Sequence, residues 1–266
     1  RPPTDRWYHH PMSRPAAIFD LDDTLIVEEA FAMASLREAL SVFPGVDPVA
    51  SEPVALDAVR SVWRRGADHP ACVEMGLASW EGLWSAFDGN HPVLDGLRSW
   101  GPGYRVEAWE AVVTALAVDD PGLAPVASAR FDEAQRRGHP VIEGMEHTLA
   151  LVADRFRLGL LTNGPSDLQR LKLDQAGLSA RFDAVVVSGE VGVGKPDPAV
   201  FTLLLDQIDA VPEDSIMVGD SWERDVVGAL GVGMSPYWVS MGRTAPYDDP
   251  RVTVIESVRD LDSLLA

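Results

Sequence analysis

The sequence predicts an α/β protein, a doubly wound parallel sheet whose chain is interrupted early by a long helical insertion. Three observations carry that expectation. The run Ala16-Ala17-Ile18-Phe19 is apolar throughout and ends abruptly in Asp20, Asp22 and Asp23, which reads as a buried strand opening onto a polar edge. From Glu28 to about Gly138 the apolar spacing stays helical and convincing β-branched runs are lacking. Past His139-Pro140 the texture changes, and helical and strand-like segments alternate as in βαβ units.

Residues 1–11 are polar, proline-bearing and without periodicity, so they read as a tail, with Met12 a candidate natural start. The pair His9-His10 within it reads as solvated, not as a metal site. After the first strand, residues 28–43 show helical spacing (Phe31, Ala34, Leu36, Leu40, Phe43), which Pro44-Gly45 ends. Helices are expected at 55–65, 77–87 and 105–118, separated by turns at 89–92 and at Gly101-Pro102-Gly103. Five of the eight tryptophans fall here (Trp63, Trp80, Trp84, Trp100, Trp109), and their expected role is packing between helices.

In the second half, 145–155 reads as a helix and 157–161 as a strand ending at Thr162-Asn163-Gly164. Ser166 is a candidate N-cap for a helix that Gly177 closes. A continuous apolar strand is expected at 184–187, a helix at 197–208, and a strand at 215–218 that ends in Gly219-Asp220. Residues 226–230 read as helical, 237–239 and 252–255 as short strands, and 258–265 as a closing helix. The chain thus divides into a tail (1–11), a split α/β core (12–27 and 139–266) and a helical insertion (28–138).

Composition limits what such a protein can do. Hydrophobic residues make up 46% of the chain and mean hydropathy is near zero, which fits a substantial core. No apolar run approaches a membrane span, and the start lacks the charged-then-apolar pattern of a secretory signal. The lone Cys72 excludes an internal disulfide, fits a reducing cytoplasm, and reads as a small buried residue. A net charge of −19 argues against nucleic acid or an anionic membrane as partner. Any phosphate ester approaching this surface needs a local positive site, supplied by a metal, a lysine or exposed backbone N–H groups. Lys172 and Lys195 are the only lysines in a chain whose basic residues are otherwise arginine.

Two near-matches fail. The run 189–195 fits the first seven positions of a P-loop, but Pro196 stands where a hydroxyl must face Mg²⁺. Residues 219–223 resemble a nucleophile elbow without its final glycine, and no HExxH or CxxC is present. Four polar clusters remain, each just after a predicted strand: Asp20/Asp22, Thr162-Asn163-Gly164, Lys195, and Asp220/Asp225. In a parallel sheet these strand ends share one edge and converge on one pocket. Carboxylates crowded at a buried strand end repel unless a cation sits among them, so a divalent metal beside a carboxylate nucleophile is expected.

These clusters, in this order, resemble the motifs of the haloacid dehalogenase superfamily. Phe19-Asp20-Leu21-Asp22-Asp23-Thr24-Leu25 is similar to the first motif and Leu161-Thr162-Asn163-Gly164 to the second. Gly194-Lys195-Pro196-Asp197-Pro198 resembles the third, and Val218-Gly219-Asp220-Ser221-Trp222-Glu223-Arg224-Asp225 the fourth. The resemblance covers about half the chain and implies a Rossmann-like core, with residues 28–138 as the family's helical cap. It implies that Asp20 attacks phosphorus to form an aspartyl-phosphate, while Asp22 serves as general acid and then base. Thr162 and the Asn163 backbone N–H would hold the phosphoryl oxygens, and Lys195 would neutralise their charge. Mg²⁺ would lie between the Asp20 carboxylate, the Asp22 backbone carbonyl and Asp220, with Asp225 orienting Lys195 or binding a metal-bound water.

Within that family, the carbon–halogen branch needs no acid for its leaving group, so Asp22 counts against it. The phosphonate-cleaving branch needs a cap lysine, and residues 28–138 contain none. A phosphomutase keeps both aspartates and stays open, as does a non-catalytic binding module on the same core. The expected activity is a Mg²⁺-dependent phosphatase acting on a small phosphorylated metabolite. Asp23 and the Ser188-Gly189-Glu190 run look closest to the small-metabolite and nucleotide phosphatases. Monomer and homodimer are both compatible with the sequence.

Overall fold

In the computed structural model, which describes residues 14–264, the first apolar run forms β1 (Ala16–Phe19), buried from end to end. The expectations for the tail, Met12 and His9-His10 lie outside the described residues. Five helices of the insertion follow: α1 (Glu29–Leu40), α2 (Pro48–Arg65), α3 (His69–Glu74), α4 (Leu94–Ala115) and α5 (Ala124–Gln135). Then come α6 (Met145–Ala153), β2 (Arg157–Thr162), α7 (Ser166–Gln175), β3 (Ala184–Val187), α8 (Ser188–Val191) and α9 (Pro198–Gln207). The chain continues through β4 (Ile216–Gly219), α10 (Val227–Val232), β5 (Ser235–Val239), β6 (Thr253–Ile255) and α11 (Leu261–Leu264). No helix among the described residues is long and apolar enough to cross a membrane.

The strands form one parallel sheet in the order β3-β2-β1-β4-β5-β6. The chain winds outward from β1 to β3, returns to the other side of β1 as β4, and winds outward again. Winding therefore reverses between β1 and β4, and a crevice opens beyond the carboxyl ends at that switch point. Phe19 is in register with Leu160 on one side and Val218 on the other, so the residues after β1 and β4 emerge together.

The pleat sends Ala17 and Phe19 to one face, with Leu158, Leu160 and Val218, beneath Leu149 of α6 and Leu261 of α11. Ile18 points to the other face with Leu161 and Met217, against Val200, Phe201 and Leu204 of α9. Each of these buried Val, Leu, Ile, Phe or Met side chains contributes about 1.5–3 kcal/mol. The fold is the expected α/β sheet, with helices on both faces and a helical insertion.

The insertion has an apolar cluster of its own, built on Trp63, Trp84, Phe87, Tyr104, Trp109 and Phe131, and that cluster also takes in Leu168 of α7. Three of the five tryptophans there are buried packing residues, as expected. At its base the entering and leaving chains pair with each other. Val27 N–H donates to the Pro140 carbonyl and Ile142 N–H to that of Leu25, both at 2.8 Å, while Ile26 and Val141 form an antiparallel bridge.

Several local expectations are corrected. Residues 77–87 are not a helix; only Glu81–Leu83 make a 3₁₀ turn, and Phe87 has φ 55°. Their polar groups find side-chain partners instead: Ala78 N–H donates to the Glu81 carboxylate (2.8 Å), while the Ser85 hydroxyl and Ala86 N–H donate to Asp167 of α7 (2.9 and 2.7 Å). Gly101-Pro102-Gly103 does not separate two helices, because α4 runs through it. At Gly101 a Cβ would meet the Phe87 ring at 2.8 Å, so this glycine permits close packing and does not mark a turn. Ser166 is the first residue of α7, not its cap; Pro165 holds that position, and the Ser166 hydroxyl donates to Glu190 (3.0 Å). The last predicted helix is a 3₁₀ turn at Val258–Asp260 followed by α11.

Candidate active site

Lys195 brings the sheet edge together. Its buried Nζ donates to Asp20 Oδ1 at 2.6 Å and to Asp225 Oδ1 at 2.7 Å. The Asn163 side chain, just past β2, clasps the lysine backbone: Lys195 N–H donates to Asn163 Oδ1 (2.8 Å) and Asn163 Nδ2 to the Lys195 carbonyl (2.9 Å). Beyond β4, a π-helical turn over Trp222–Val226 turns Asp225 inward, where Ser221 N–H donates to its second oxygen (2.9 Å). Asp220 is held from the C-terminal side, since Arg243 donates to its carboxylate (3.1 Å) and its carbonyl (2.8 Å). Asp23, the third acid after β1, is spent on the backbone and accepts from Glu28 N–H at 2.9 Å.

Oxygens of Asp20, Asp220 and Asp225 lie within 4.8 Å of one another. Burial pushes the Asp220 carboxyl up to about 7, with Asp225 and Asp23 adding and Arg243 opposing. Burial likewise raises the Asp20 carboxyl, and the acids around it add to that against the pull of Lys195. For Lys195, burial works against the charge, but Asp20 and Asp225 outweigh it and raise the ammonium pKa. One ammonium among three acids leaves surplus negative charge and free oxygens. A hard divalent cation that takes oxygen ligands fits this donor set.

The Asp22 carboxylate stands apart from that group: it accepts from Gln169 Nε2 (2.8 Å) and Lys172 Nζ (3.2 Å). Asp20, Asp22, Asn163, Lys195 and Asp220 all line one cavity of ≈ 210 Å³. Thr162 is fully buried and is not part of the cavity wall; its hydroxyl accepts from Gln169 Nε2 at 2.9 Å. The insertion supplies the roof through Trp80 and Glu81, while Glu29 and Arg224 stand exposed at the wall. Gly76 (φ +70°) rests directly on Asn163, where a Cβ would meet the amide at 2.2 Å.

A second buried cluster was not foreseen. Lys172 Nζ lies 3.0 Å from Glu28, 3.2 Å from Asp22 and 3.5 Å from Glu81. The Trp80 indole N–H donates to Glu28 (3.2 Å), and His139 Nε2 lies 2.8 Å from the other Glu28 oxygen. Burial opposes it, yet Lys172 and His139 pull the Glu28 carboxyl down to about 2. Glu81 is pushed up to about 7, chiefly by burial, against the attraction of Lys172. The scarcity of lysine was the one signal that pointed here. Cys72 is buried as expected, and burial pushes its thiol up to about 12.

Residues 15–233 match the haloacid dehalogenase-like hydrolase family. The chain is 34% identical to the phosphoserine phosphatase of Thermus thermophilus over 92% of its own length and 95% of that protein's. It is 33% identical to the pyrimidine 5'-nucleotidase YjjG of Escherichia coli, over 47% of this chain and 56% of that one. Solved structures share the fold. The YfnB hydrolase of Bacillus subtilis, described as bound to magnesium, superposes with TM-score 0.66 at 19% identity, over 95% of this chain and 98% of its own. A 2-haloacid dehalogenase from Pseudomonas syringae superposes with TM-score 0.59 at 24% identity, over 95% and 98%.

Proposed function

The chain belongs to the haloacid dehalogenase-like hydrolases, and on that premise we propose that it is a Mg²⁺-dependent phosphatase hydrolysing a small phosphomonoester through an aspartyl-phosphate on Asp20. The observation that carries the reading is the Lys195 ammonium 2.6 Å from Asp20, inside an acidic group able to share one cation. Asp20 contributes the oxygen that attacks phosphorus as the bond to the ester oxygen breaks, so one hard displacement becomes two easier ones. Asp22 gives its proton to the departing oxygen, then takes one from the water that cleaves the acyl phosphate. Lys195 and the Asn163 backbone N–H offset the phosphoryl charge, while Thr162, expected to hold phosphoryl oxygens, lies behind the cavity wall and accepts from Gln169 instead. Asp20, Asp220 and the Asp22 carbonyl would hold Mg²⁺, with Asp225 as a further ligand or as the partner that orients Lys195. When bound, the ion supplies Lewis-acid neutralisation of phosphoryl charge.

Residues 28–138 act as the cap that roofs the cavity and selects the substrate. A volume of ≈ 210 Å³ suits a small metabolite. Phosphoserine is the first substrate to try, since a relative matched over 95% of its length carries that name. Arg224 and Glu29 would offer opposite charges to a carboxylate and an ammonium. The test is phosphate release from phosphoserine, sugar phosphates and nucleotides, with Mg²⁺ and after chelation. Release that chelation stops and Mg²⁺ restores is expected. Silence across the panel, with halide released from 2-chloropropionate, would replace this reading with the carbon–halogen one.

A further inference from the structure

Lys172 has no part in the reaction just described, yet it is 1% exposed, against 3% for Lys195. Its three carboxylate partners come from three places with different duties. Asp22 follows β1 and faces the cavity. Glu28 begins the insertion and lies against His139, just past its end, so this pair marks the base of the insertion. Glu81 belongs to the 3₁₀ turn within the insertion and forms part of the cavity roof. One turn earlier on α7, Gln169 donates to Asp22, to Thr162 and to the Asn163 carbonyl. Thus a single helix grips the acid–base carboxylate with two donors, and one of those donors is also held by the roof.

We propose that Lys172 is a positioning residue that ties the aim of the Asp22 carboxylate to the seating of the insertion on the core. This rests on Asp22 as the proton donor of the reaction above. With the roof seated, Glu81 and Glu28 draw the ammonium into a fixed place, and the Trp80 indole fixes Glu28 in turn. With the roof withdrawn, Lys172 loses Glu81 and Glu28 loses its indole donor, so the ammonium that orients Asp22 is free to shift. A buried ion cluster is costly to desolvate and is often no more stable than an apolar replacement. A role in specifying geometry accounts for a cluster that stability alone does not require.

The test uses the full-length protein at saturating Mg²⁺ and a series of substituted phenyl phosphates, from good leaving groups (2,4-dinitrophenyl) to poor (phenyl). Loss of a well-aimed acid harms the poor leaving groups most, by up to ~10²–10⁴-fold for a general acid. Asp22→Asn sets that benchmark in kcat/KM. Lys172→Met is expected to follow the same trend, losing at least about 10-fold more on phenyl phosphate than on the dinitro ester. Glu81→Gln should follow it in the same direction by a few-fold, and it keeps side-chain volume if Lys172→Met fails to fold. A uniform loss across the series in both variants means a merely structural lysine and overturns the proposal. A Glu81→Gln series parallel to wild type overturns the link to the insertion. Wild-type protein inert toward every ester would instead sink the phosphatase reading, so the two failures are distinguishable.

Discussion

Lys195 and Lys172 are both buried among carboxylates, yet their surroundings are built on opposite plans. Lys195 is hydrogen-bonded by groups that follow strands of one sheet: Asp20 after β1, Asn163 after β2 and Asp225 after β4. Asp20 and Asn163 directly follow paired strands, and the π-helical turn after β4 brings in Asp225, so the sheet edge supplies all three side chains. Lys172 instead gathers a residue beyond β1, one at the base of the insertion and one from its roof. That arrangement exists only while two separately packed regions stay docked. The first cluster suits work that must not vary, and the second suits work that must register a change.

The comparison breaks most visibly at the sheet edge. Asp20→Asn should lower kcat by roughly 10⁴-fold or more, since the groups of a nucleophilic site act as a unit, while circular dichroism stays native. An active variant would mean that another group attacks. Lys195→Ala should cost about 10²–10³-fold, as expected for loss of one preorganised charge. Thermal melts of that variant should also show a larger gain from Mg²⁺ than wild type, because its acids have lost their ammonium. Undiminished turnover there would remove Lys195 from the site.

The smallest effect sharpens the contrast through pH. Asp220 and Glu81 both have folded-state values of about 7, above their ordinary 3.8 and 4.5. The folded protein therefore holds protons that the unfolded chain releases. Their contribution to stability is fully present below those ordinary values and is lost as pH rises toward 7. In metal-free protein the unfolding free energy should fall over that window by an amount on the order of 1–4 kcal/mol per group, and the melting temperature should fall with it. Added Mg²⁺ should remove only the Asp220 share, and Glu81→Gln only the share of the roof. A profile that neither change alters would refute both assignments.

What could be read from the chain follows the same division. Strands and their polar ends were legible because the signal is local: β3 falls on the predicted 184–187, and Asp20, Asn163 and Asp220 each directly follow their strands. The Lys172 cluster was not, because its partners stand 150 and 91 residues away, at Asp22 and Glu81. Residues 77–87 carry apolar spacing that suits a helix, but their N–H groups are claimed by Glu81 and by Asp167 on α7, which periodicity cannot reveal. Gly101-Pro102-Gly103 misled for a related reason. A glycine demanded by a neighbouring ring looks, in one dimension, like punctuation.

The paired chains at the foot of the insertion have an architectural consequence. Because residues 25–27 and 140–142 are laced to each other, the hundred-odd residues between them begin and end at neighbouring points. The sheet is spared any tension from what is hung there. A longer, shorter or wholly different superstructure could be grafted at this hem without moving β1, provided that it renews the Glu28 and Glu81 carboxylates that hold Lys172.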